Sequence, residues 1–306
     1  MLGITGRVGR AIVAGVDAAG LVGFARHTNA ASADLGRFVA GDRRDVAALV
    51  AAIDGTDAVV DLAGHDVDDA EALIAALARC AVPPRRVVLA SSLAERLPSR
   101  WAQHPASVAE LDDEAAPEDD YGAGKRALRR RLAAALGPLA IDVHALLLPQ
   151  LHALDDLNGR ERAYIAAARA GRSIELPGGG TTRPAVVATD TAAAALLALA
   201  TWRPALNTTA PTLGHNTVWQ LAPADRPTLG ALVAALLRGA GATAVIASGN
   251  GRPLGHSGAD ETVDGAPLRA WLPALPWPDL IDRHAVHGAA LGAALDAALD
   301  ATRRPA

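Results

Sequence analysis

The chain has 306 residues, of which 51% are apolar and 3% aromatic, with a net charge of −4 and one cysteine. That length supports a buried core in one large or two modest domains, and the apolar content excludes a disordered chain. The charge gives no electrostatic basis for binding nucleic acid or an anionic membrane. One cysteine excludes an internal disulfide and a cysteine metal cluster, and no apolar run approaches the ~18 residues of a membrane span.

The sequence opens MLGITGRVGRAIV. Gly3, Gly6 and Gly9 stand three apart, with Arg7 and Val8 inside the motif, and a helical pattern follows over 7–18. Such a turn passes a strand into a helix while its backbone approaches a phosphate. Only Met1 and Leu2 precede it. Leu2 is therefore expected to be the stub of a strand of roughly five residues, the rest of which is encoded upstream; the rival is a natural loss of that strand. No basic start with an apolar core marks a signal peptide, so a soluble cytoplasmic protein is expected.

Strand patterns follow at 20–26, 36–42, 56–64, 85–92 and 140–148, with helical patterns between them at 44–53, 67–80 and 121–136. Short apolar strands alternating with amphipathic helices read as βαβ units around a parallel sheet. Cys80 ends the helical run ALIAALARC and reads as a buried structural thiol. His65, Asp66, Asp68 and Asp69 sit at a helix start, where acids suit the dipole, so no metal site is expected there. The acidic run 112–120 reads as a solvated loop, and RALRRRL as an exposed helix face rather than a nucleic-acid patch.

Beyond about 148 the rhythm changes. A helix over 159–170, the glycine-rich LPGGGTTRP, a helix over 189–202, the strand-like NTVWQLAP and the helical TLGALVAALLRGAG follow in turn. A loop-rich stretch over 249–283 leads to the closing HGAALGAALDAALDA. The expected organisation is a nucleotide-binding domain over 1–148, rejoined by about 184–202, and a smaller α/β lobe over 149–306. The last helix is expected on its own lobe, though it is also compatible with a homodimer.

The chemistry concentrates in two stretches. Tyr121 and Lys125 are four apart on one helix face. A nearby ammonium favours phenolate and lowers the tyrosine pKa from its normal ~10, giving an acid/base usable near neutrality. VVLASS is a strand ending in Ser91 and Ser92, where ligands of parallel sheets bind.

Glycine turn, strand-end serine and Tyr/Lys helix, in that order, resemble the extended short-chain dehydrogenase/reductase family. This is the group of NAD(P)-dependent epimerases, dehydratases and reductases, with a Rossmann-like doubly wound sheet. GDRRDVAALVAAIDGTDAVVDLAG and IELPGGGTTRPAVVATDTAAAALLALA extend the resemblance along nearly the whole chain. It implies Tyr121 as acid/base and Lys125 as its modulator and a ribose ligand. Ser92, ahead of Ser91, would bind the reacting oxygen. Gly3, Gly6, Arg7, Val8 and Gly9 would meet the pyrophosphate, Asp42 would reach the adenine, and Ala63 and Gly64 would line the cofactor. Arg183 would bind the diphosphate of a nucleotide sugar.

The second strand ends FARHTN, with Arg26 and His27 and no acid for a ribose hydroxyl, so NADP is favoured over NAD. Two departures stand out: LLLPQL where the family often carries Arg-Pro, and VATD in place of its usual histidine pattern. The expected activity is oxidoreduction or epimerisation at a carbinol or carbonyl carbon of a small-molecule substrate, a nucleotide sugar or a small ketone. The alternative is a non-catalytic NAD(P)-binding redox sensor.

Overall fold

Continuous apolar runs such as RVVLASS and DVHALLL suit strands covered on both faces, and these become the centre of a parallel sheet. The computed structural model describes residues 1–95, 120–152, 159–202, 216–249 and 263–303. It divides into two units: 1–151 with 189–222 and 263–276, and 152–188 with 223–262 and 277–306.

In the first unit β1 (Val22–Ala25) pairs with β2 (Arg37–Ala40). β3 (Ala58–Asp61), β4 (Arg86–Ser92) and β5 (Asp142–Leu148) pair in sequence. Leu2, fully buried, makes parallel bridges to both Phe24 in β1 and Asp61 in β3. It thereby joins the two sets into one doubly wound, Rossmann-like α/β sheet. Beyond Met1 a cavity of about 720 Å³ opens, lined by residues that include Met1, Val22, Val59, Val60, Arg86 and Trp202.

Helix α1 (Arg7–Gly15) follows the glycine turn. Helices α2 (Val46–Ile53) and α3 (Val67–Leu77) start on aspartate caps: Asp45 accepts from the N–H groups of Ala47 and Ala48, and Asp66 from that of Asp69. Such caps are worth about 1 kcal/mol each. Helix α4 (Asp120–Leu136) lays Leu128, Leu132 and Leu136 into the core formed with Leu49, Leu73, Val87 and Val143. RALRRRL is not the exposed face expected of it, because Arg126 and Arg129 on α4 are buried. A buried carboxylate, Glu95, draws them inward. Cys80 is half-buried against the same core, its Sγ 3.3 Å from the Ala76 carbonyl, rather than fully enclosed.

Strand β6 (Gln150–His152) precedes the second unit's helix α5 (Arg160–Arg169) and strands β7 (Ile174–Leu176) and β8 (Val186–Ala188). Helix α6 (Thr189–Thr201) returns to the first unit, and β9 (Asn216–Gln220) extends its sheet beside β5. In the second unit α7 (Leu229–Gly239) precedes β10 (Ile246–Ser248), which pairs in parallel with β7.

The stretch 249–283, read as loop, contains α8 (Ala266–Trp271) and the first turn of α9 (Leu280–Arg303). Asp279 accepts from the N–H groups of Ile281 and Asp282 and so starts α9 after two prolines. Cβ atoms built on Gly239 and Gly288 would lie 1.8 Å from the Ala285 carbonyl oxygen and 1.9 Å from that of Leu236. Only glycine at both positions permits this approach of α7 and α9.

Three tryptophans meet in the first unit. Trp219 on β9 stacks on Trp271 of α8 with ring centroids 5.2 Å apart and 18° between planes. Trp202 lies 6.0 Å from Trp271 and carries the Arg86 guanidinium 5.4 Å from its own ring.

His144 in β5 is fully buried, and neither ring nitrogen has a partner among the described residues. Burial, aided by the Arg86 charge and opposed by Asp142, pushes its pKa down to about 4. The fold therefore favours the neutral ring. This contribution to stability is complete above about pH 6.5, where the unfolded ring is also neutral, and is lost as pH falls towards 4. The loss amounts to at most about 3 kcal/mol. His144→Leu is expected to flatten the fall in melting temperature over that range. An unchanged pH profile would show that His144 does not titrate this way.

Candidate active site

The glycine turn is held by backbone pairing: the Leu2 N–H donates to the Val60 carbonyl at 2.9 Å, and the Gly3 N–H to the Phe24 carbonyl at 2.8 Å. Gly3 has φ +80°, a left-handed conformation that side chains rarely adopt, and a Cβ there would lie 2.9 Å from that of Ala63. A Cβ on Gly9 would lie 2.1 Å from the Ile4 carbonyl oxygen, so α1 packs on the turn only with glycine there. Gly6 caps α1 without a side chain, and the Val8 and Gly9 N–H groups point from a helix start that favours an anion.

The loop after β3 is shaped by Asp61, whose side chain is fully buried. One carboxylate oxygen accepts from the N–H groups of Ala63 and Gly64, both at 3.0 Å, and the other lies 2.5 Å from the Arg43 guanidinium. The Gly64 carbonyl in turn accepts from Lys125 Nζ at 2.6 Å, and the Ala90 carbonyl at 3.1 Å. Lys125, 4% exposed, thus ties the β3 loop and the end of β4 to α4. Burial lowers its pKa below the ordinary 10.5; the Arg43 charge acts in the same direction and Asp61 opposes it.

Tyr121 is 48% exposed, one turn before Lys125, whose Nζ lies 5.7 Å from the phenol ring centroid. Its ring is 6.1 Å from that of His65. The two strand-end serines differ. Ser91 is buried and donates to Glu95, whereas Ser92 is partly exposed and accepts from the Ala94 N–H at 3.1 Å. Glu95, itself fully buried, also receives the Arg129 Nε at 2.8 Å, and its carbonyl receives Arg126.

Gly3, Gly6, Arg7, Val8, Gly9, Ser91, Ser92, Tyr121 and Lys125 border one cleft of about 320 Å³ in the first unit, together with His65, Leu148 and Pro149. The structure therefore brings together the glycine turn, the serines and the Tyr/Lys pair around one cleft. Ala63 packs on Gly3, and Gly64 reaches the site through Lys125.

Other candidates lie apart from the cleft lining. Arg26 and His27 are exposed just past β1. Asp42 is an exposed turn residue whose Oδ1 accepts from the Arg44 N–H at 2.8 Å. Arg183 belongs to the second unit, where its exposed guanidinium donates to the Arg226 carbonyl. Asp66, Asp68 and Asp69 are engaged by Arg44 at 2.8, 3.3 and 3.1 Å. Most of the acidic run, 112–119, lies outside the described residues.

Asp61 and Glu95 were not singled out from sequence. Asp61 carried a faint signal: it precedes Ala63 and Gly64 by two and three residues, the spacing of an aspartate that closes a turn on its own backbone.

The family model described as NAD dependent epimerase/dehydratase family matches residues 1–208. No curated protein matches the sequence. Solved structures share the fold at low identity. A short-chain dehydrogenase/reductase superfamily protein from Agrobacterium tumefaciens with bound NAD is 20% identical, with TM-score 0.71 over 99% of this chain and 98% of that one. UDP-N-acetylglucosamine 4-epimerase from Bacillus cereus is 13% identical, with TM-score 0.69 over 96% and 97%. Thermus thermophilus UDP-glucose 4-epimerase in complex with NAD is 16% identical, with TM-score 0.67 over 94% and 97%.

Proposed function

Because the chain belongs to the NAD dependent epimerase/dehydratase family and is an enzyme of that NAD(P)-binding kind, we propose that it acts on a nucleotide sugar. The reaction is oxidation, epimerisation or dehydration that begins at a carbinol carbon; a small ketone is the alternative substrate. The observation that carries this reading is the single cleft shared by Ser92, Tyr121, Lys125 and the glycine turn.

The residues fit a dinucleotide. Gly3 and Gly9 leave room where a Cβ would clash, and the uncapped start of α1 suits a diphosphate flanked by Gly6, Arg7 and Val8. Ala63 and Gly64 would line it, Lys125 would bind a ribose, and Asp42 would approach the adenine. When bound, the nicotinamide supplies the hydride acceptor and donor.

The protein's own groups handle the proton and the charge. Tyr121 takes the proton of the substrate hydroxyl and returns it, with the Lys125 ammonium favouring the phenolate. Ser92, the serine whose hydroxyl is not committed to a buried carboxylate, donates to the oxygen on which charge develops. Arg183 would act on a sugar nucleotide's diphosphate.

The test is incubation of the enzyme with NAD or NADP and a panel of UDP- and dTDP-sugars, with products resolved by NMR. Conversion of a sugar at its carbinol centre is expected. Turnover of simple ketones only would replace the nucleotide-sugar reading.

NADP is favoured over NAD because Arg26, not an acid, follows β1. Losing one hydrogen bond to a charged group costs about 1.5–3 kcal/mol. Arg26→Ala is therefore expected to weaken NADP binding about tenfold or more in calorimetric titration and to leave NAD nearly unchanged. Equal loss for both cofactors, or none, would remove Arg26 from the 2′-phosphate site.

A further inference from the structure

Three residues remote in sequence meet inside the second unit. His152 ends β6, Glu161 sits in the first turn of α5, and His287 lies on α9. His152 and His287 are buried and the Glu161 side chain is 13% exposed, and one ligand atom from each lies within 4.8 Å of the others. His152 Nδ1 and Glu161 Oε1 lie 4.0 Å apart. The rings of His152 and His287 are tilted by 59°, with centroids 5.1 Å apart.

We propose that His152, Glu161 and His287 bind one divalent first-row transition ion, with zinc the best fit. Two imidazoles and one carboxylate are borderline nitrogen and oxygen donors, which select zinc, cobalt or nickel over calcium and magnesium. Zinc binds such atoms at about 2.0–2.2 Å, so two ligands of one tetrahedral ion stand about 3.4 Å apart. Closing the group onto an ion needs each side chain to move by under about 1 Å. Three protein ligands leave a fourth tetrahedral position for water. The ion's charge also meets the Glu161 carboxylate beside two buried imidazoles, where a lone cation would be costly.

A fourth histidine supports the arrangement. His284, one turn before His287, is 2% exposed and stacks on His152 with centroids 3.9 Å apart and 17° between planes. Its Nδ1 lies 2.7 Å from the Leu280 carbonyl oxygen, which can only accept, so Nδ1 carries the hydrogen. His284 is thereby fixed in orientation, and through the stack it fixes the His152 ring, as outer partners fix metal-binding imidazoles. Nothing in the sequence pattern pointed here, since the ligands are separated by 9 and 126 residues. The proposal does not depend on the chemistry of the nucleotide cleft.

The test uses the full chain, stripped with a chelator and then loaded with zinc or cobalt. One equivalent of zinc is expected to survive desalting, and the cobalt form is expected to show the intense visible bands of a tetrahedral site. Glu161→Gln, nearly isosteric, and His287→Gln should each lose the retained metal and those bands while circular dichroism shows an intact fold. His27→Asn, at an exposed histidine, should retain both. A wild-type chain that retains no zinc overturns the site. So do Glu161→Gln and His287→Gln variants that bind zinc as the wild type does, because the metal would then sit on other histidines.

Discussion

Tyr121→Phe is expected to lower turnover at least about 100-fold, since a positioned general acid or base contributes roughly 10²–10⁴. Cofactor affinity and melting temperature should change little. The tyrosine is about half exposed, so its hydroxyl is not part of a closed core. Lys125→Met should behave differently: the buried ammonium holds the Gly64 and Ala90 carbonyls, so its loss weakens both cofactor binding and the local fold. Because the ammonium favours phenolate, the acid limb of the pH–rate profile should also move to higher pH in Lys125→Met. Steady-state kinetics across pH with both variants check this. Unchanged turnover in Tyr121→Phe would remove Tyr121 from the chemistry and favour a cofactor-binding protein without catalysis.

The second large effect is expected at Asp61. Its fully buried carboxylate satisfies two backbone N–H groups and faces Arg43 at 2.5 Å. Breaking a buried pair from one side typically costs about 3–5 kcal/mol, because a desolvated charge is left behind. Asp61→Leu should therefore lower the urea-unfolding free energy by about that amount. Weaker cofactor binding should accompany the loss, since the Ala63–Gly64 turn loses its acceptor. Asp61→Asn keeps an oxygen for the turn but not the charge, and should fall between the two. A loss below 1 kcal/mol in Asp61→Leu would show that Arg43 is carried by Asp69, 3.5 Å away.

The parts of the site that could be read in the sequence are local. The three glycines act within one turn, the Tyr121–Lys125 spacing is one helical turn, and a serine at a strand end needs only the strand to be recognised. Parallel strands also announced themselves through their continuous apolar runs. What stayed hidden depends on contacts between distant segments. Arg126 and Arg129 look like a solvated face until Glu95 is placed beneath them. The β7–β10 pairing joins three-residue strands 72 residues apart, too short to carry a period. Helix α8 fails for the same reason, with six residues, whereas the early start of α9 was obscured by Pro276 and Pro278, which read as loop punctuation. Arg183 entered only through family resemblance, and its surroundings in the second unit add nothing from the sequence side.

The stacked pair Trp219–Trp271 also gives this protein an optical handle. Two indoles held 5.2 Å apart and nearly parallel couple their electronic transitions, so a paired positive and negative band should appear in the ultraviolet circular dichroism, distinct from the backbone signal. The band exists only while α8 remains seated against β9, and Trp271→Phe would erase it without removing a strand or helix from the core. Followed during heating, it would separate the detachment of one short helix from the melting of the sheet to which that helix is docked.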